Sequence, residues 1–387
     1  MSGTKKILPI IVISQFLCTS LWFAGNAVLP DIIKNFPTEL NLLANLTSMV
    51  QLGFISGTLV FAVFAISDIF SPSKVFFVCG IAAALFNLGV SLPISNANIL
   101  LLFRFLTGFM LAGIYPVGMK IAADYFKDGL GKSLGFLVGA LVLGTAFPHL
   151  LKTFTTNFAW QYVIYATSIL SLIGAGCIYL FVPNGPYRVA GQKFDYKASF
   201  SGFRNPNFRS AAFGYFGHMW ELYTFWAFLP GMLMLYNGTH QNANLNVSLF
   251  SFLIIASGCI SCMIGGMLSQ KFGAKKIATI ALSISGLCCL LSPIFLFSSL
   301  IYIFLFFLFI WGLAGTADSP LFSTLVAKNA PDSLKGTSLT IVNCIGFAIT
   351  IISIQAINIL SKEMNSHYLY MLLAIGPILG LYALIKK

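Results

Sequence analysis

The feature that most constrains this chain is an alternation. Twelve apolar runs, each about 20 residues or longer and so able to cross a bilayer as a helix, are separated by short polar stretches. They fall at residues 7–28, 42–66, 75–94, 98–123, 133–152 and 159–182, then at 211–233, 247–269, 277–297, 299–325, 335–359 and 367–385. In lipid each backbone polar group must find its partner within the protein, so the expected fold is all-α and integral to the membrane, with twelve transmembrane helices. Composition agrees: with 58% hydrophobic and 8% charged residues, 387 residues could not cover a soluble surface with polar groups. The first run lacks the small-residue cleavage site of a secretory signal and leads into further spans, so it counts as a span.

Residues 183–210 form the longest polar segment and divide the chain into an N-terminal six-helix bundle (1–182), a basic linker (183–210) and a C-terminal six-helix bundle (211–387). Orientation follows from the basic residues. Of the 22 Lys and Arg, seventeen lie on the side of the termini and linker, among them Lys74, Lys127, Lys132, Lys193, Lys197, Lys271, Lys275 and Lys328. Three (Lys34, Lys152, Lys362) lie opposite, and Arg104 and Lys120 lie within a span. Both termini are therefore expected in the cytoplasm of a bacterial inner membrane. A net charge of +12 distributed in this way marks topology rather than nucleic-acid binding.

The halves resemble each other. Ala27-Val-Leu-Pro30 closes the first run as Ala227-Phe-Leu-Pro230 closes the seventh, and Ser67-Asp68 through Lys74 corresponds to Ser269-Gln270 through Lys276. Two six-helix repeats of one orientation predict a transporter with its solute site between them.

The loop Gly266-Met-Leu-Ser-Gln270-Lys271-Phe-Gly273-Ala-Lys275-Lys276 resembles the cytoplasmic signature of the major facilitator superfamily, with Gln270 in place of an Asp. The first-half copy keeps Asp68 and Lys74 and loses the glycine. Arg104-Phe-Leu-Thr-Gly108 resembles the family's fourth-helix Arg-x-x-x-Gly. The resemblance covers essentially the whole chain and implies a secondary transporter. Asp68, Lys74, Gln270, Lys271, Gly273 and Lys275 would form its gating latch, and Arg104 would serve substrate binding or coupling. The Gly-Pro motif of many antiporters in the fifth helix is absent. Gly131, Gly135, Gly139 and Gly144 stand there, which close helix packing explains.

Glu221 is the most conspicuous candidate. A charge at mid-bilayer costs about 2.5–3.5 kcal/mol on insertion scales and usually faces a cavity or a partner. On a helix it shares a face with Gly214, Gly217, His218 and Thr224. It is expected to carry protons, with His218 as relay and Asp318 as a further candidate. The alternative is a neutral Glu hydrogen-bonded to a neighbouring helix, or, for Asp318, a carboxylate paired near the interface. For solute binding, Gln15, Thr19, Trp22 and Asn26 fall at helical spacing on one expected face. Arg104 would share a face with Gly108, Ala112 and Tyr115, while Tyr223, Trp311 and Asn343 complete the set and Gln51 is a lesser candidate. An intramembrane guanidinium needs an acid, carbonyls or an anionic solute. Lys120 is the weaker candidate because it can snorkel.

The expectation is thus alternating-access, proton-coupled uptake of a small polar, anionic organic solute by a monomer in the lipid bilayer, with no cofactor and no metal. Extrusion of an amphiphile and a non-transporting sensor are the alternatives. An enzyme would need a constellation that the scattered His149, His218, His240 and His367 do not supply. Cys259-x-x-Cys262 lacks a second ligand pair, and no phosphate-binding loop for ATP is present.

Overall fold

The computed structural model of the protein describes residues 4–34, 41–93, 96–126, 130–155, 157–188, 200–240, 243–331, 335–364 and 366–386. Lys127, Asp128, Lys193, Asp195, Lys197 and Lys387 lie outside them, as does the middle of the linker. The chain forms two compact units, Met1–Phe194 and Asp195–Lys387, and the described regular structure is helical throughout.

The first unit begins with α1 (Thr4–Thr19) and two short helices, α2 (Ala24–Ala27) and α3 (Leu29–Ile33). Then come α4 (Leu42–Val63), the one-turn α5 (Ile66–Ile69), α6 (Pro72–Gly89), α7 (Ala97–Leu111), α8 (Tyr115–Tyr125), α9 (Leu130–Phe154) and α10 (Gln161–Phe181). The second unit holds α11 (Pro206–Thr239), α12 (Val247–Phe272), α13 (Ala274–Phe295), α14 (Ile301–Ala317), α15 (Ser319–Asn329) and α16 (Lys335–Leu360). Its last span is α17 (Ser366–Leu369), a tighter 3-10 stretch over Tyr370–Ala374, and α18 (Ile375–Ile385). In the first unit α4 packs on α7, α6 on α7 and α10, and α1 on α9 and α10. The second repeats these pairs: α12 on α14, α13 on α14 and α18, and α11 on α16 and α18.

Among the described residues ten helices are long and apolar enough to cross a membrane, with α7–α8 and α14–α15 each counted as one of 29 residues. The two remaining spans are the first and the seventh. Only Ile7–Thr19 of the first is a continuous apolar helix. The seventh, α11, has ample length at 34 residues but is too polar along it. Large apolar side chains such as Val78, Leu180, Met267 and Phe306 point outward, as lipid contact requires.

Small residues set the closest crossings. A β-carbon on Gly108 of α7 would run into the Val50 carbonyl of α4, and one on Gly53 into the Phe105 carbonyl, so the two backbones touch. The helix breaks have local causes. Thr19 and Ser20 turn their hydroxyls back onto the carbonyls of Gln15 (2.8 Å) and Leu17 (2.7 Å), which bends a helix, and α1 stops there. The fourth and tenth spans break before Pro116 and Pro320, each in the first turn of its following helix, where the absent N–H is tolerated.

Several expected boundaries change. The run 7–28 is not one helix, because it breaks over residues 20–23. Runs 98–123 and 299–325 are each two helices. The seventh helix starts at Pro206, inside the expected linker, because Asn205 caps it by accepting from the Asn207 N–H at 2.9 Å.

Candidate functional site

In the first unit the site is built around Arg104. It projects from α7 and is fully buried. Its Nη1 donates to the Leu21 carbonyl (3.2 Å) and to Asn87 Oδ1 (3.3 Å), and its Nη2 to the Trp22 carbonyl (2.5 Å). In an unbroken helix those carbonyls would accept from residues four further on, so the guanidinium takes over the acceptors that the break in the first span releases. Asn87 is held in turn by donating to Ser168 Oγ (2.9 Å), Thr167 Oγ1 (3.2 Å) and the Ile164 carbonyl (3.3 Å). No carboxylate pairs with Arg104 among the described residues, and its Nε has no acceptor there. A β-carbon on Gly25 would stand 3.4 Å from that Nε, so the first span packs directly against the guanidinium there.

The stripe Gln15, Thr19, Trp22 and Asn26 does not share one face, because the helix on which it was laid out is broken. Gln15 packs its amide against Gly118 of α8, and Thr19 lies against Gly144 of α9. Trp22 lies on Phe54 of α4 at 4.9 Å, and Asn26 donates to Thr47 Oγ1 of α4 at 2.7 Å. Tyr115 is buried on α8, beyond the break, and so leaves the helix face of Arg104. Gln51 is fully buried on α4, and both its amide atoms lack a partner among the described residues.

In the second unit the site is acidic. Glu221 lies deep in α11. Its Oε1 accepts from Trp311 Nε1 of α14 at 2.6 Å and its Oε2 from Ser285 Oγ of α13 at 2.9 Å. Trp311 is steadied by Phe225, stacked on it at 4.7 Å. A β-carbon on Gly315 would stand 3.6 Å from Glu221 Oε1, so α14 passes close to the carboxyl. One turn before Glu221, His218 brings Nδ1 to 2.8 Å from Asp318 Oδ1, both side chains fully buried. The approach is short but off the hydrogen-bond line, and both Asp318 oxygens and His218 Nε2 lack an aligned partner among the described residues. Asp318 stands at the junction of α14 and α15 without capping α15 through its side chain. Thus Glu221, His218, Asp318 and Trp311 come together as one buried cluster. Tyr223 instead packs with Trp226 (5.1 Å) and Phe347 (5.3 Å), and Asn343 is half-buried on α16.

The expected latch divides. Asp68 pairs with Lys120 Nζ at 2.7 Å rather than with Lys74, which is exposed. Arg188 Nη2 donates to the carbonyls of Asp68 (2.8 Å) and Phe70 (2.9 Å), closing the end of α5. Lys120, set aside as a snorkelling residue, is therefore the ion partner. Gln270, Lys271 and Lys275 are exposed. Gly273 joins α12 to α13 as a single residue at φ 88°, a conformation that side chains rarely adopt.

Asn87 and Ser285 were missed from sequence. Both are single polar residues in apolar helices, and only their neighbours distinguish them from ordinary helix-packing positions.

A sequence model of the Major Facilitator Superfamily matches residues 11–354. The chain belongs to the major facilitator superfamily. It is accordingly an integral membrane protein and a secondary transporter. Among solved structures it is similar to the superfamily's proton:xylose symporter XylE, bound there to 6-bromo-6-deoxy-D-glucose. The TM-score is 0.77 at 13% identity over 98% of this chain and 95% of that one, a likeness of fold. No curated protein matches the sequence.

Proposed function

We propose that this superfamily member is a monomeric, proton-coupled, alternating-access symporter that takes up a small polar organic solute bearing an anionic group. Both termini would face the cytoplasm of a bacterial inner membrane. The observation that carries the reading is Glu221, a carboxyl buried at 2% exposure with two donors and, among the described residues, no ion pair. Burial favours the neutral form of such a group and the Trp311 and Ser285 donors favour the charged form, so the two forms compete. His218 and Asp318, one turn away, give a proton somewhere to go. A proton crossing 100 mV supplies about 2.3 kcal/mol, which at about 1.4 kcal/mol per tenfold ratio sustains roughly a 50-fold gradient. That a proton symporter shares this fold supports the reading.

Arg104 supports the anionic solute. Among the described residues its buried charge is met by dipoles alone, and its Nε has no acceptor. The test is uptake in proteoliposomes under an imposed pH gradient, screening small acids, amino acids and sugars at two pH values. The Glu221→Gln variant is expected to lose pH-driven accumulation while keeping solute counterflow. Unchanged pH-driven uptake in that variant would sink the proposal. Extrusion of an amphiphile is the second reading, favoured by the aromatic group Tyr223, Trp226 and Phe347. Accumulation in inverted vesicles would mark it.

A further inference from the structure

The motif-bearing ends of the two units treat their basic residues differently. In the first unit Lys120 is neutralised by Asp68, and Arg188 is taken up by backbone carbonyls. In the second, Gln270 stands where the motif has a carboxylate. Lys275 and Lys328 make no ion pair among the described residues. They come from different helices, α13 and α15, yet they line one cavity of about 200 Å³. Asn207 of α11 adds an amide to its wall, and Ala211, Leu325 and Leu384 give it an apolar floor. Among the described residues no acidic one lines it.

We propose that this cavity binds a phosphate group, held by Lys275 and Lys328 and bounded by the amide of Asn207. Two lysines from different helices lining one concavity give it a local positive potential that favours an anion. Lysine suits a phosphate because it acts as a mobile point charge with three donors. The space also suits it: a cavity of about 200 Å³ leaves room for a phosphate, with Ala211, Leu325 and Leu384 beside it for part of an ester stem. Lys271 and Lys276 of the same loop lie outside the cavity, so it takes Lys275 and Lys328 out of a larger set of equally exposed lysines. The group could come from an anionic phospholipid or from free phosphate, and the experiment separates the two.

The experiment uses the full chain. Its melting temperature is measured in phosphatidylcholine nanodiscs with and without phosphatidylglycerol, and in detergent with and without inorganic phosphate. Binding of short-chain phosphatidylglycerol is titrated in parallel. A rise with phosphatidylglycerol alone assigns a lipid headgroup; a rise with both probes shows that phosphate suffices. In either case Lys275→Gln/Lys328→Gln is expected to bind at least about tenfold more weakly, given roughly 1 kcal/mol per basic residue near a charged lipid surface. Lys271→Gln/Lys276→Gln is expected to bind as wild type does. Melting of each variant without probe is measured first, so that loss of fold is not mistaken for loss of binding. The proposal is overturned if neither probe raises the melting temperature, if the cavity variant binds as tightly as wild type, or if the control pair loses as much.

Discussion

The two units bury opposite charges across corresponding helix pairs, the first with the fourth span and the seventh with the tenth, and hold them with different parts of the chain. In the first unit a cation from the fourth span rests on main-chain carbonyls of the first span. In the second, an anion from the seventh span rests on side chains of the ninth and tenth. The difference follows from what a membrane helix can spare. An unbroken helix has no interior N–H to spare and only the second lone pair of each C=O, so a charge draws little on it. Breaking a helix releases carbonyls, which serve a guanidinium with five donors and no way to lose its charge. A carboxyl needs donors, and with α11 unbroken these come from the Trp311 indole and the Ser285 hydroxyl. A broken helix thus accompanies the cation and an intact one the acid.

The largest effect expected from this contrast is that of Arg104→Ala. It strands the Leu21 and Trp22 carbonyls and Asn87 without their donor. The variant should lose about 3–5 kcal/mol of stability, as when a buried charged network loses one member. A melting curve of the purified protein, with Arg104→Lys as partial rescue, measures it. A fully stable Arg104→Ala would mean that the broken helix does not depend on the arginine.

Glu221→Gln tests the other side. Its amide oxygen still accepts from Trp311, so stability should change by less than about 1 kcal/mol, while proton-driven accumulation falls at least tenfold. Loss of fold instead would make the carboxyl a structural partner like Arg104 and erase the contrast.

The loops between the second and third spans of each unit give a smaller effect. Gly273→Ala places a β-carbon at φ 88° and should cost about 1–3 kcal/mol. At the corresponding joint of the first unit Ala65 already bears φ 48°, so Ala65→Gly should relieve strain of about 1 kcal/mol. Paired chemical melts compare them.

The smallest effect concerns Asp31, which has Lys152 at 2.6 Å and Lys34 at 3.3 Å. Burial pushes its carboxyl up, but the hydrogen bonds and charges of the two lysines outweigh that and hold it below the usual value. A depressed carboxylate stabilises the fold above its unfolded pKa, about 3.9, and that contribution is lost as pH falls through the lower folded value. Melting temperature followed downward from pH 6 should show a decline that Asp31→Asn lacks.

Much of this was legible from residues alone. Runs of apolar residues show themselves because lipid demands them, and the repeat at Leu29-Pro30 and Leu229-Pro230 shows because it is written in order. Glu221 stood out because a carboxyl in an apolar run has few uses. What stayed hidden were partners distant in sequence. Lys120 lies 52 residues from Asp68, and Ser285 lies 64 from Glu221, with nothing local to join them. The stripe from Gln15 to Asn26 misled because periodicity assumes an intact helix, and the first span breaks over residues 20–23.

The sequence by itself determined the membrane class, the two repeats, and the presence of a few charges that apolar surroundings would force to find company. Only tertiary structure decided what company they found. It set Arg104 on carbonyls rather than on an acid and Glu221 between an indole and a hydroxyl. It also brought Lys275 and Lys328, from different helices, to the lining of one cavity, with no ion pair on either among the described residues. The reason is physical. Burial of apolar runs is a one-body property that each segment carries in its own composition, whereas the pairing of a buried charge depends on which helices cross, at what height, and where one of them breaks.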